Sequence, residues 1–170
     1  NDGEYRLSLF VGCGIFFELR VSDLLSIQWE MLIEDSCFEI IEKKTKKRRE
    51  IKINSNFQNH ILRCYEALNI KDKSEHCFIS RKKRVYSIQR INVLLKEMKK
   101  RYNLKSVKNI SSHALRKTFA RHIYERAGIN GELALALISK LFNHSNIAIT
   151  KRYLGLRQEE ILGCYDLLDF

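Results

Sequence analysis

Two short stretches hold side chains whose types and spacing could do chemistry. His113 and Arg116 stand three residues apart at the start of a stretch with helical periodicity, so they share one helical face. The first turn of a helix presents backbone N–H groups that favour an anion. An imidazole and a guanidinium placed there make a phosphate site; a surface arginine beside a capping histidine is the other reading of the same pair. Further on, His144 is followed by a short polar turn and then, nine residues later, by Tyr153 in the basic sequence Thr150-Lys151-Arg152-Tyr153. A tyrosine in a basic helix ordinarily packs half-buried, so this second pattern gains meaning only from its place in the chain.

The elements that must position these groups are mostly helical. Residues 5–17 are apolar almost all round and predict a buried helix. Ser22 before Asp23-Leu24-Leu25 reads as an N-cap with an acid in the first turn. Phe38-Glu39-Ile40-Ile41-Glu42 and Glu50-Ile51-Lys52-Ile53 predict two strands around a basic hairpin tip, Lys43 to Arg49, and Cys77-Phe78-Ile79-Ser80 a third. Helical spacing returns at Phe57, Ile61, Leu62, Tyr65 and Leu68, and again at Ile88, Ile91, Leu94, Leu95 and Met98. Ser111 or Ser112 caps the helix that carries His113 and Arg116; its core side reads as Leu115, Phe119 and Ile123, and Gly128 stops it. Helices at 132–142, 147–153 and 159–168 complete the expectation of an α+β, mostly α domain with a small antiparallel three-stranded sheet.

Charge points to the partner. The net charge is +11, but residues 1–42 hold nine acids and two bases, Arg6 and Arg20, while the remainder carries 29 bases against 11 acids. A field that positive attracts a polyanion, most commonly nucleic acid; a solubility charge with no partner is the other reading. The five cysteines are scattered with no zinc or redox spacing, which reads as reduced thiols of a cytosolic protein packed as small core residues. No carboxylate cluster has nuclease spacing, so neither metal nor cofactor is expected. No apolar run approaches the roughly 20 residues of a membrane span. With 170 residues and no proline-, glycine- or serine-rich linker, the chain reads as one domain, 1–170. No leader pattern is read at the start; opening at Asn1 without an initiator Met, the chain reads as a piece of a longer protein.

Four segments, in order, resemble the catalytic domain of the tyrosine recombinase (phage-type integrase) family: Glu18-Leu19-Arg20-Val21-Ser22-Asp23-Leu24-Leu25, His113-Ala114-Leu115-Arg116-Lys117-Thr118-Phe119-Ala120, Leu141-Phe142-Asn143-His144-Ser145 and Thr150-Lys151-Arg152-Tyr153-Leu154. The resemblance runs from about residue 5 to 165. It implies a helical catalytic domain in which Tyr153 attacks a DNA phosphodiester and gives a 3′-phosphotyrosine and a 5′-hydroxyl. Arg20 and Arg116 would clamp the phosphorane, His113 would be general base or phosphate donor, and His144 would donate to the same phosphate. A hairpin lysine would protonate the leaving oxygen: Lys44, before Thr45, fits best, with Lys43, Lys46 and Lys47 as rivals. The two arginines would stand in for a metal ion.

The chain departs from the family pattern at Phe17-Glu18 for Thr-Gly, Lys52 for Pro, Ser112 for Pro and Asn143 for Gly. Asn is the common substitute for Gly in a left-handed conformation. Glu18, two residues from Arg20, would either orient that arginine or compete with phosphate for it. Lys46, Lys47, Arg48, Lys82, Lys83 and Arg84 read as contacts to DNA backbone, which give affinity and not sequence choice. Ile161, Leu162, Tyr165 and Leu168 form an apolar stripe that would pack on its own domain or dock on a neighbouring subunit of a tetramer on double-stranded DNA. An N-terminal core-binding domain would precede the chain. The context implied is a bacterial prophage or mobile-element recombinase, cytoplasmic and nucleoid-associated. Rivals are a type IB topoisomerase or telomere resolvase, and a decayed DNA-binding relic in which Glu18 blocks Arg20.

Overall fold

The computed structural model describes residues 2–107 and 109–156, and the chain forms two compact units, residues 1–116 and 117–170. In the first, helix α1 (Asp2–Phe16) is followed by the short helices α2 (Val21–Leu24) and α3 (Trp29–Ile33), the strands β1 (Cys37–Ile41) and β2 (Arg48–Lys52), and helices α4 (Ser55–Ala67) and α5 (Ile88–Arg101). Helix α6 (Ser112–Arg126) begins in this unit and ends in the second, which continues with a 3-10 turn at Gly128–Asn130 and helices α7 (Gly131–Phe142) and α8 (Ile147–Leu154). The expected helix at 159–168 lies outside the described residues, as does Cys164.

The core of the first unit is built from α1 (Leu9, Phe10, Cys13), Phe17, Trp29, Phe38, Phe57, Ile61, Phe78 and Leu95. Two interior glycines let other elements close on α1. A Cβ at Gly12 would overlap the Phe57 ring, and one at Gly14 would lie 2.9 Å from Leu115 Cδ1. Gly14 therefore admits the first turn of α6 against α1, one residue before Arg116. The second unit has its own core of Ala120, Leu135, Ile138, Phe142, Leu154 and Leu156.

The sheet has two strands, not three. β1 and β2 pair antiparallel from Cys37↔Lys52 to Ile41↔Arg48. The stretch at 77–80 makes only isolated bridges nearby, Gln28↔His76 and Ile79↔Val85. The Cys77 N–H goes to the Ile27 carbonyl, but the Cys77 carbonyl accepts from the Arg6 guanidinium at 2.7 Å. A side chain thus takes the place of the ladder bond that a strand would need.

Two further expectations need correction. Helix α2 starts before Ser22, because Arg20 is already extended (φ −67°, ψ 151°) and its carbonyl accepts the Asp23 and Leu24 N–H groups. On α6 the fully buried position is Ala120; Phe119 is half-buried. Ser111 is the cap, its hydroxyl accepting the Ala114 N–H at 3.2 Å. Among the described residues, no helix is long and apolar enough to cross a membrane.

Candidate active site

In the first unit, Arg20 and Arg116 are tied together by buried carboxylates. Glu18 is fully buried, with a positive φ of 57°. Its Oε1 accepts from Arg116 Nη2 at 2.7 Å and Nε at 3.1 Å, and its backbone carbonyl accepts from Nε at 2.9 Å. Its Oε2 accepts from Arg49. Arg49 also pairs with Glu42 Oε1 at 3.5 Å, and Glu42 Oε2 accepts from Arg20 at 2.7 Å. The result is one alternating chain of four ion pairs, Arg116–Glu18–Arg49–Glu42–Arg20. Glu18 therefore pairs directly with Arg116 and Arg49 and not with Arg20, which is held by Glu42.

The same opposing forces act on both carboxyls, with opposite net results. Burial raises the Glu18 carboxyl above its ordinary value, and the charges and hydrogen bonds of Arg49 and Arg116 offset this only in part. Burial also works to raise Glu42. There it is outweighed by hydrogen bonds from Thr45 and Arg20 and by the charges of Arg20 and Arg49, which hold the carboxyl below its ordinary value.

The hairpin is fastened on either side of Lys44. The Lys43 N–H donates to Asp23 Oδ1 at 2.9 Å, and the Thr45 hydroxyl donates to Glu42 Oε2 at 2.6 Å. The Lys46 N–H closes the turn on the Glu42 carbonyl at 2.8 Å, with Lys46 itself left-handed at φ 58°. Lys44 is exposed on this fixed backbone. Lys46, Lys47 and Arg48 are exposed on the same hairpin, and Lys82, Lys83 and Arg84 on a second tight turn closed by Ser80 and Arg84.

His113 is exposed in the first turn of α6, and Arg116 is buried one turn on. The anion-binding reading of that turn holds only in part. The Ser112 N–H is taken by Asn92 Oδ1 at 3.0 Å and the Ala114 N–H by Ser111, so the guanidinium carries more of the site's positive character than the helix end does.

In the second unit, α7 ends on Asn143 in the left-handed conformation, φ 55° and ψ 43°, as expected for a residue standing in for glycine. The turn sets the His144 ring against Phe142, centroids 5.3 Å apart, and against Tyr153, 5.5 Å apart. His144 Nδ1 lies 2.9 Å from the hydroxyl of the buried Thr150. Asn146 caps α8 by accepting the Ile149 N–H at 3.0 Å, and Tyr153 sits half-buried on that helix, its ring 5.1 Å from Phe142. Each unit thus assembles its own part of the predicted set: Arg20, Lys44, His113 and Arg116 in one, His144 and Tyr153 in the other. Among the described residues, no group of three or more His, Cys, Asp or Glu is placed to hold a metal ion.

The model of the phage integrase family matches residues 5–160. The chain belongs to the phage integrase family. Integrase relatives agree with this. The chain is 30% identical to a probable integrase/recombinase, YoeC, of Bacillus subtilis, over 97% of the chain and 84% of that protein. It is 28% identical to the tyrosine recombinase XerC of Xanthomonas campestris, over 94% of the chain and 46% of that protein. The chain thus spans about half the length of the XerC relatives.

The fold recurs in solved recombinases at 18–19% identity. The XerA recombinase gives a TM-score of 0.71 over 97% of this chain and 58% of that one. XerH bound to a palindromic difH substrate gives 0.66 over 98% and 47%. The Tn1549 transposon integrase with a circular-intermediate DNA gives 0.61 over 89% and 58%.

Three residues that touch the predicted side chains are not singled out by the sequence: Glu42 and Arg49 in the first unit, and Thr150 in the second. Arg49 left a signal: it has the same strand parity as the buried Ile51, where an apolar residue is ordinary.

Proposed function

We propose that this chain is the catalytic domain of a site-specific DNA recombinase that cuts and rejoins double-stranded DNA through a tyrosine-linked intermediate. The observation that carries the reading is the buried carboxylate network that fixes two guanidiniums, Arg20 and Arg116, in a chain of the phage integrase family. Guanidiniums offer paired donors matched to two phosphate oxygens, which a lysine cannot copy.

In this reading the Tyr153 oxygen attacks the scissile phosphorus while its proton passes to His113. A phenol is a weak nucleophile at neutral pH, so it needs such a base or a strong field. Arg20 and Arg116 hold the non-bridging oxygens as their charge grows, and His144 donates to the same phosphate, its ring set by Thr150. The bond to the 5′ oxygen breaks and that oxygen takes a proton from Lys44. The 3′-phosphotyrosine keeps the bond energy, so attack by another 5′-hydroxyl rejoins the strand without ATP. Removing one preorganised donor of this kind commonly costs on the order of 10²–10³ in rate.

Lys46, Lys47, Arg48, Lys82, Lys83 and Arg84 serve the duplex backbone. The enzyme works in the bacterial cytoplasm on the nucleoid and assembles as a tetramer through its C-terminal apolar stripe, which lies outside the described residues. The test is covalent trapping. The full-length protein carrying this chain is mixed with nicked duplexes bearing the ends of its element. A denaturation-resistant adduct lost in Tyr153→Phe is expected. Binding without any adduct would overturn the reading and leave a DNA-binding relic.

A further inference from the structure

We propose that Arg49 is a positioning residue for DNA cleavage, bridging Glu18 and Glu42 so that each carboxylate can hold one phosphate-binding arginine without opposing the phosphate. The inference rests on the reading of Arg20 and Arg116 given above.

Its first support is where Arg49 points. In the antiparallel register Arg49 faces Ile40, and it shares a strand face with Ile51; both isoleucines are buried. Its neighbour Arg48 faces the other way, with its side chain 72% exposed against 15% for Arg49. A cation on the apolar face of a hairpin is costly unless its partners are built in.

Its second support is how the oxygens are divided. Glu18 gives Oε1 to Arg116 and Oε2 to Arg49, and Glu42 gives Oε2 to Arg20 and Oε1 to Arg49. Each carboxylate thus spends one oxygen on a phosphate-binding arginine and the other on Arg49. This division fixes the rotation of both carboxylates, and through them both guanidiniums.

Its third support is charge. Two carboxylates against Arg20 and Arg116 alone would leave these four side chains without net charge. Arg49 restores a net positive charge. Without Arg49 the freed Glu18 oxygen competes with the phosphate for Arg116, and weakening one preorganised donor in this way slows reaction on the order of thirtyfold.

The experiment measures single-turnover adduct formation at saturating protein, so that DNA affinity does not enter, for the parent, Arg49→Gln, Glu18→Gln and the double variant, with folding followed by Trp29 fluorescence. We expect Arg49→Gln to slow the parent about thirtyfold, and the same change to cost less than about threefold once Glu18 is already Gln, because the carboxylate oxygen that Arg49 keeps from Arg116 is gone. Equal losses in both backgrounds, or a double variant that does not fold, would make Arg49 a structural residue and overturn the proposal. A parent that forms no adduct would instead overturn the functional reading on which the proposal rests.

Discussion

Glu42→Gln tests the site's electrostatics in the absence of DNA. Glu42 accepts from Arg20 at 2.7 Å and Thr45 at 2.6 Å, pairs with Arg49 at 3.5 Å, and is only 7% exposed. Glutamine keeps the shape and one acceptor oxygen, but it takes the acceptor's charge from the hydrogen bonds of Arg20 and Thr45 and aims an amide donor at a guanidinium. Charged hydrogen bonds contribute about 1 kcal/mol more than neutral ones, so the loss at pH 7 should be about 2–3 kcal/mol. With a urea slope near 2 kcal/mol/M that lowers the midpoint by about 1 M. Trp29, the one tryptophan and fully buried in the first unit, reports it by fluorescence. The sign with pH is fixed too. Glu42's folded value lies below its ordinary 4.5, so its stabilisation is present above that value and is lost as pH falls through the folded value. Parent and variant should therefore converge in acid. Equal midpoints at pH 7, or a deficit unchanged at pH 3, would refute the argument.

Glu18→Gln should show the opposite trend. Its folded value is raised above 4.5, so its contribution is present below that value and lost as pH rises, and the variant should gain on the parent between pH 3 and 7 in the same fluorescence titration. Gly14→Val should displace Leu115 and cost about 2–3 kcal/mol by overpacking, with adduct formation falling more steeply than stability because Arg116 is the next residue. Asn143→Ala places an ordinary side chain at φ 55° and should cost about 1 kcal/mol, read as faster amide exchange at the end of α7. Thr150→Val removes the hydroxyl beside His144 Nδ1 and should slow adduct formation about tenfold while shifting the His144 ring resonances; unshifted resonances would separate Thr150 from the imidazole.

The sequence by itself determined a good deal. Helical spacing located α4, α5, α7 and α8, because one buried face every 3.6 residues is a local property. The basic tip between two alternating runs gave the β1–β2 hairpin. Asn143 announced its left-handed turn through the rarity of residues that tolerate one. The four motifs, read in order, led to the family that residues 5–160 match. The third strand failed because its fate depended on Arg6, 71 residues away, taking the Cys77 carbonyl. The role of Glu18 failed for the same kind of reason. Nearness in sequence suggested Arg20, but its partners are Arg49, 31 residues on, and Arg116, 98 residues on. Periodicity and capping are written locally and survive in a string of letters. Which buried carboxylate meets which guanidinium is decided only when distant segments share one interior, where an unpaired charge is too costly to leave.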